Sequence, residues 1–161
     1  MKLAFKNGCT HWDEEVKWIT MLDPDIHVTY RAHVKSLGWL GWQFDGETAG
    51  TTGQARRMEA AQIRLLNPPG DMRICYRAHT AFDGWHGEVC DGVTAGTTGL
   101  SRRMEAIQIN LRDAPAGCEV EYRAHVASHG WLGWVRNGAT AGTTGQSRRM
   151  EALEVRLVNC N

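Results

Sequence analysis

One internal repeat constrains this chain more than anything else in it. Tyr-Arg-Ala-His recurs at 30–33, 76–79 and 122–125, and Gly-Trp at 38–39, 84–85 and 130–131. Ala-Gly-Thr-Thr-Gly recurs at 49–53, 95–99 and 141–145, and Arg-Arg-Met-Glu-Ala at 56–60, 102–106 and 148–152. Every set is spaced by 46 residues, with no insertion or deletion. The natural frames are 24–69, 70–115 and 116–161, preceded by a leader over 1–23, and their joints carry turn residues such as Asn67-Pro68-Pro69-Gly70. An open solenoid needs atypical end units, whereas here the last copy runs intact to the end of the sequence. Three equal copies therefore point to closed pseudo-threefold symmetry.

Each copy reads as β. Val28, Tyr30, Ala32 and Val34 share one face of an alternating segment, and Arg31 and His33 the other. The middle segment ends at a hairpin-type pair, Asp45-Gly46, Asp91-Gly92 or Asn137-Gly138. The last segment alternates again, with Leu153, Val155 and Leu157 on one side. No copy has a helical period. The expectation is an all-β fold with about three strands per copy, closed as a β-prism-like body, with a β-trefoil as the alternative closure. In the leader, Trp12, Val16 and Ile19 suit a short helix, while Val16, Trp18 and Thr20 suit a strand.

Charge and cysteine content bound the function. Eighteen basic and 18 acidic residues cancel, which argues against nucleic acid, because phosphate neutralisation needs a net basic face. No apolar run reaches the ~18 residues of a membrane span, and the first residues lack the apolar core of a signal peptide. The five cysteines do not follow the repeat. Cys9 and Cys160 could join the ends, and an odd number leaves one thiol free or intermolecular. There is no Cys-x-x-Cys and no His or Cys cluster at ligand spacing within a copy, so no metal or cofactor is expected.

Several repeated positions are candidates for binding. Trp85 shares parity with Gly87 and Val89, so Trp39, Trp85 and Trp131 are expected inward. The second position, Trp42, Glu88 and Trp134, tolerates a charge and is expected to face solvent, where Trp42 and Trp134 could stack a sugar ring. His33, His79 and His125, with Asp45, Asp91 and Asn137, are candidate partners for ligand hydroxyls. Ala-Gly-Thr-Thr-Gly is expected to be a tight turn using positive φ. Glu105 shares parity with Ile107 and Ile109, so the repeated glutamate is expected on the inward side, held there by an Arg–Glu clasp. Hydrolysis needs an asymmetric carboxylate pair, and one recurring glutamate per copy suits binding better than catalysis.

The run from Tyr122 to Leu157, with Gly-Trp, Gly-Trp-Val, Asn-Gly, Ala-Gly-Thr-Thr-Gly and Arg-Arg-Met-Glu-Ala, resembles the clostridial hydrophobic tryptophan (ChW) repeat, three times over 26–158. The resemblance implies a bacterial-type module, extracellular or at the cell surface, that serves adhesion or ligand binding. Glu88 departs from it by replacing the second tryptophan of copy two. Together these features predict a non-catalytic, lectin-like protein binding glycans through up to three related sites. The alternative is a protein-adhesion or assembly module, including a homo-oligomer formed through the leader.

Overall fold

The computed structural model describes residues 24–161. The leader, with its helix and strand alternatives and Cys9, lies outside them. Among the described residues there is no helix, and each copy contributes five strands rather than three. Copy one supplies β1 (His27–Val34), β2 (Gly38–Trp39), β3 (Gln43–Phe44), β4 (Ala49–Gly50) and β5 (Met58–Leu66). Copy two supplies β6 (Arg73–Thr80), β7 (Gly84–Trp85), β8 (Val89–Cys90), β9 (Ala95–Gly96) and β10 (Met104–Arg112). Copy three supplies β11 (Glu119–Val126), β12 (Gly130–Trp131), β13 (Val135–Arg136), β14 (Ala141–Gly142) and β15 (Met150–Val158).

The long alternating segments pair first. β1 runs antiparallel to β5 with Tyr30 opposite Ile63 and Ala32 opposite Ala61, so their apolar sides coincide. On its other edge β1 takes β2 and β3. The two other copies repeat this with β6 and β10, and with β11 and β15.

The fourth strand leaves its own copy. β4 pairs with β15, β9 with β5, and β14 with β10, so each copy completes its neighbour's sheet and the exchange closes after three. The result is three separate antiparallel sheets in threefold pseudo-symmetry. No closed barrel forms, which removes the trefoil alternative. The Asp-Gly and Asn-Gly pairs are therefore not hairpin tips. Both residues take positive φ (41° and 87° at Asp45 and Gly46), and Glu47 N–H donates to Phe44 O across the turn. That turn sends the chain out of its own sheet.

Two devices lock the copies together. The tyrosine of each Tyr-Arg-Ala-His strand sits between a turn and a neighbouring strand. Tyr76 OH accepts from Ile63 N–H and donates to Val93 O, and Tyr122 OH does the same with Ile109 and Ala139. The glycine of each turn pair donates to that neighbouring strand, Gly92 to Ile63 O and Gly138 to Ile109 O, each at 2.7 Å. Tyr30 and Gly46 treat Val155 in the same way. The inner faces meet in one core, where Tyr30, Tyr76, Tyr122, Met58, Met104 and Met150 are fully buried.

The predicted core differs at one position. Trp39, Trp85 and Trp131 are only half-buried and lie outside the apolar cluster. Trp39 pairs directly with His33, and cross-strand partners share a face, so it stands on the outer side. The cysteines also pair otherwise than expected, as Cys75–Cys90 across β6 and β8 and as Cys118–Cys160. Cys160 is thus not joined to Cys9.

Ala-Gly-Thr-Thr-Gly is part strand and part bend, not a tight turn: Ala95-Gly96 forms β9 and a bend follows at 98–100, though both glycines take the positive φ expected of them. A Cβ on Gly96 would lie 2.4 Å from Glu59 O, at φ +92°. Gly96→Ala should therefore cost about 3 kcal/mol, a left-handed penalty plus a steric one. Gly99→Ala, at φ +76° with open space around it, should cost only about 1 kcal/mol. Urea unfolding of both variants measures the difference.

The three clamp tyrosines are also the only tyrosines in the chain. Burial raises the pKa of each, that of Tyr76 to about 12 against an ordinary 10.0. A neutral buried phenol stabilises the fold fully below pH 10, and that contribution is lost as pH rises through the raised folded values. Ultraviolet titration should show no tyrosinate near pH 10 in the folded protein, with ionisation arriving together with alkaline unfolding.

Candidate functional site

The outer face of each sheet carries the polar residues of the repeat. In copy one, Arg31 stands opposite Gln62, and His33 opposite Ala60 on one side and Trp39 on the other. The register then slips between His33 and Val34, passing over Glu59. That β-bulge turns the glutamate away from the parity its neighbours follow. The same slip falls at Glu105 and Glu151.

Each glutamate is consequently buried, at 5–6% exposure, yet stands with the histidine and not in the apolar core. This corrects the inward placement and bears out the clasp. Arg57, Arg103 and Arg149 each hold their glutamate at 3.0–3.1 Å. His33, His79 and His125 place Nδ1 at 3.2, 3.1 and 3.1 Å from the other carboxylate oxygen. A carboxylate so buried needs its arginine, because desolvation is otherwise uncompensated. The histidine contact is a hydrogen bond at His125, whereas Nδ1 of His33 and of His79 lies close to the glutamate without hydrogen-bond geometry. Each histidine also meets its tryptophan edge-on, with ring centroids 5.2–5.3 Å apart. Each of the three histidines thus serves its own copy.

Above this layer lies a stack of cations and rings. The Arg31 guanidinium sits 4.7 Å from the Trp39 ring and 4.8 Å from the Trp42 ring. Arg123 does the same with Trp131 and Trp134, at 4.6 and 4.8 Å, and Arg156 adds a second cation 3.8 Å from Trp134. In copy two Arg77 stacks on Trp85 alone at 4.6 Å, and Glu88, in place of the second tryptophan, pairs with Arg112. Trp42 and Trp134 are half-buried and already covered by guanidinium, so neither is a bare plate. Stacking on arginine holds both groups in one orientation and leaves the guanidinium edge for hydrogen bonding.

The copies differ in what holds that arginine. Arg31 Nε donates to Gln62 at 2.8 Å and Arg77 Nε to Gln108 at 2.7 Å. In copy three the partner is Glu154, bonded by Arg123 Nε at 2.8 Å. A threonine from the neighbouring copy fixes the partner each time, Thr94, Thr140 or Thr48. Copy three also has Glu121, whose pKa is lowered by its hydrogen bond from Arg156 and by Arg136.

Asp45, Asp91 and Asn137 are tied to the fold. Their side chains accept from the backbone N–H of Val28, Ile74 and Val120 at 3.0–3.2 Å. Asp45 also meets His27 at 2.6 Å, and Asp91 meets Arg73 at 2.9 Å. Among the described residues the one grouping with metal-ligand proximity is Cys75, Glu88 and Cys90, whose sulfurs are joined in a disulfide. The site residues not foreseen are Arg31, Arg77 and Arg123 with the first tryptophan of each copy. The parity of the Tyr-Arg-Ala-His strand already put the arginine beside the histidine.

Glu105→Ala leaves Arg103 and His79 facing a buried gap and should cost about 2 kcal/mol. Asp83→Ala, which breaks the solvent-exposed pair with Arg102, should move the midpoint far less, because water and salt screen that pair. Denaturant midpoints of the two variants compare the two effects directly.

The Clostridial hydrophobic W family model matches residues 33–67, 83–113 and 125–159. No curated protein and no solved structure matches the chain. The three matched segments take in more than half of the chain; each holds both tryptophan positions, the donated strand and the glutamate at the bulge, and the first and third also hold the histidine. The chain belongs to the Clostridial hydrophobic W (ChW) family.

Proposed function

We propose that this is a non-catalytic, lectin-like protein that binds glycans through the outer faces of its three sheets. The observation that carries the reading is the threefold recurrence of a half-exposed tryptophan beside an oriented arginine and histidine. Apolar ring surface next to fixed hydrogen-bond donors suits a sugar, which has both apolar and hydroxyl faces. Three weak sites on one rigid body gain avidity for a glycan-coated surface. Two disulfides favour an oxidising, extracellular setting.

One observation favours protein adhesion instead. Phe82 is 92% exposed at φ 75°, where the other copies have Ser36 and Ser128. A bulky side chain in the left-handed region and in water stabilises nothing within the chain.

A glycan array with labelled protein, followed by calorimetry, separates the readings. The glycan reading expects selective hits with up to three sites per chain. Trp39→Ala, Trp85→Ala and Trp131→Ala combined should remove binding, at about 2 kcal/mol per site, while the β-type circular dichroism persists. A blank array on folded protein, with protein capture lost in Phe82→Ser, would transfer the case to adhesion.

A further inference from the structure

We propose that copy one holds a site for an acidic sugar, in which the Arg31 guanidinium, clamped by Trp39 and Trp42, takes a glycan carboxylate. The inference rests on the glycan reading above and names the class of glycan.

The charge balance of the three faces singles out this position. Glu59, the buried acid on this face, is already held by Arg57, with His33 beside it. Arg31 itself bonds only to the neutral Gln62, through Nε, and its two terminal NH2 groups have no acceptor among the described residues. Burial lowers its pKa, and no carboxylate among the described residues pairs with it. A half-buried cation without a counter-ion is costly to keep, and an incoming carboxylate offsets that cost with two parallel N–H···O bonds. The site is also rigid. Two rings fix the guanidinium plane, and Gln62 is itself fixed by Thr94 at 2.8 Å.

Neither other copy meets all of these conditions. Copy two has the neutral glutamine but a single ring on Arg77, and puts Glu88 where the second tryptophan belongs. Copy three has both rings but supplies its own carboxylate, Glu154, at 2.8 Å from Arg123. The position occupied by Gln62, Gln108 and Glu154 thus sets whether the stacked arginine is open to an anion or closed.

The test exchanges that residue between copies, since each choice already folds in the same setting. Calorimetry at low salt compares an oligogalacturonide with its methyl ester, which keeps the sugar and removes the charge. The acid should bind once per chain, and the ester about tenfold to a hundredfold more weakly. Added salt should weaken the acid alone. Gln62→Glu should abolish the acid's advantage, and Glu154→Gln should raise the stoichiometry to two.

Equal binding of acid and ester, untouched by Gln62→Glu, would overturn this site and leave the glycan reading standing. Failure of every glycan, acidic or neutral, on folded protein would overturn both. Binding of a polyglutamate peptide in place of the oligogalacturonide would overturn the sugar as the source of the carboxylate.

Discussion

The structure depends on a backbone contact made three times, where the Ala-Gly strand of one copy lies against the last strand of another. Gly50, Gly96 and Gly142 allow it, because a Cβ at each would meet a glutamate carbonyl at 2.3–2.4 Å. Without that approach each copy would be a small sheet with an open edge and an uncovered apolar face, too little to fold alone. With it, the ladder of one copy becomes the edge cover of the next, and the tyrosine clamps add hydrogen bonds across the same junction. Closure after three copies removes the free ends that a linear stack would have to cap.

The carbonyl that each glycine approaches belongs to the glutamate at the bulge, so fold and outer face meet at one residue. Thr51, Thr97 and Thr143 donate their N–H to those carbonyls. The side chain of the same glutamate gathers an arginine and a histidine on the outer face. A junction required for closure therefore also orients the histidine, and through it the tryptophan. This coupling explains how three faces keep one geometry while their charges diverge.

Divergence is confined to what surrounds that frame. Glu88, Gln62 against Glu154, Thr29 against Glu121, and Phe82 against serine change the charge or apolarity of a face and leave every clamp intact. Copy three is internally neutralised by Arg123, Arg136 and Arg156 with Glu119, Glu121 and Glu154. In copy one the stacked Arg31 bonds to the neutral Gln62 and pairs with no carboxylate among the described residues. Equivalent scaffolds can in this way present unlike chemistry on one body.

Much of this was legible in the residues. The 46-residue period determined the number of copies and their closure, alternation in Val28-Thr29-Tyr30-Arg31-Ala32-His33 determined the two faces of β1, and the Arg–Glu clasp followed from the cost of a buried carboxylate. Parity failed where the backbone breaks its own period. The bulge at Glu59 moves the glutamate to the other face, and the short β2 places Trp39 opposite His33 and out of the core. Strand exchange was hidden for a different reason: a two-residue Ala-Gly strand has no pattern of its own, and its partner lies in another copy. Local sequence specifies which side of a strand is apolar, because that depends only on alternation. Which strand it joins, which ring covers which arginine and which cysteines meet are settled by three sheets packing around one core, where close approach and charge pairing are decided between residues far apart in the chain.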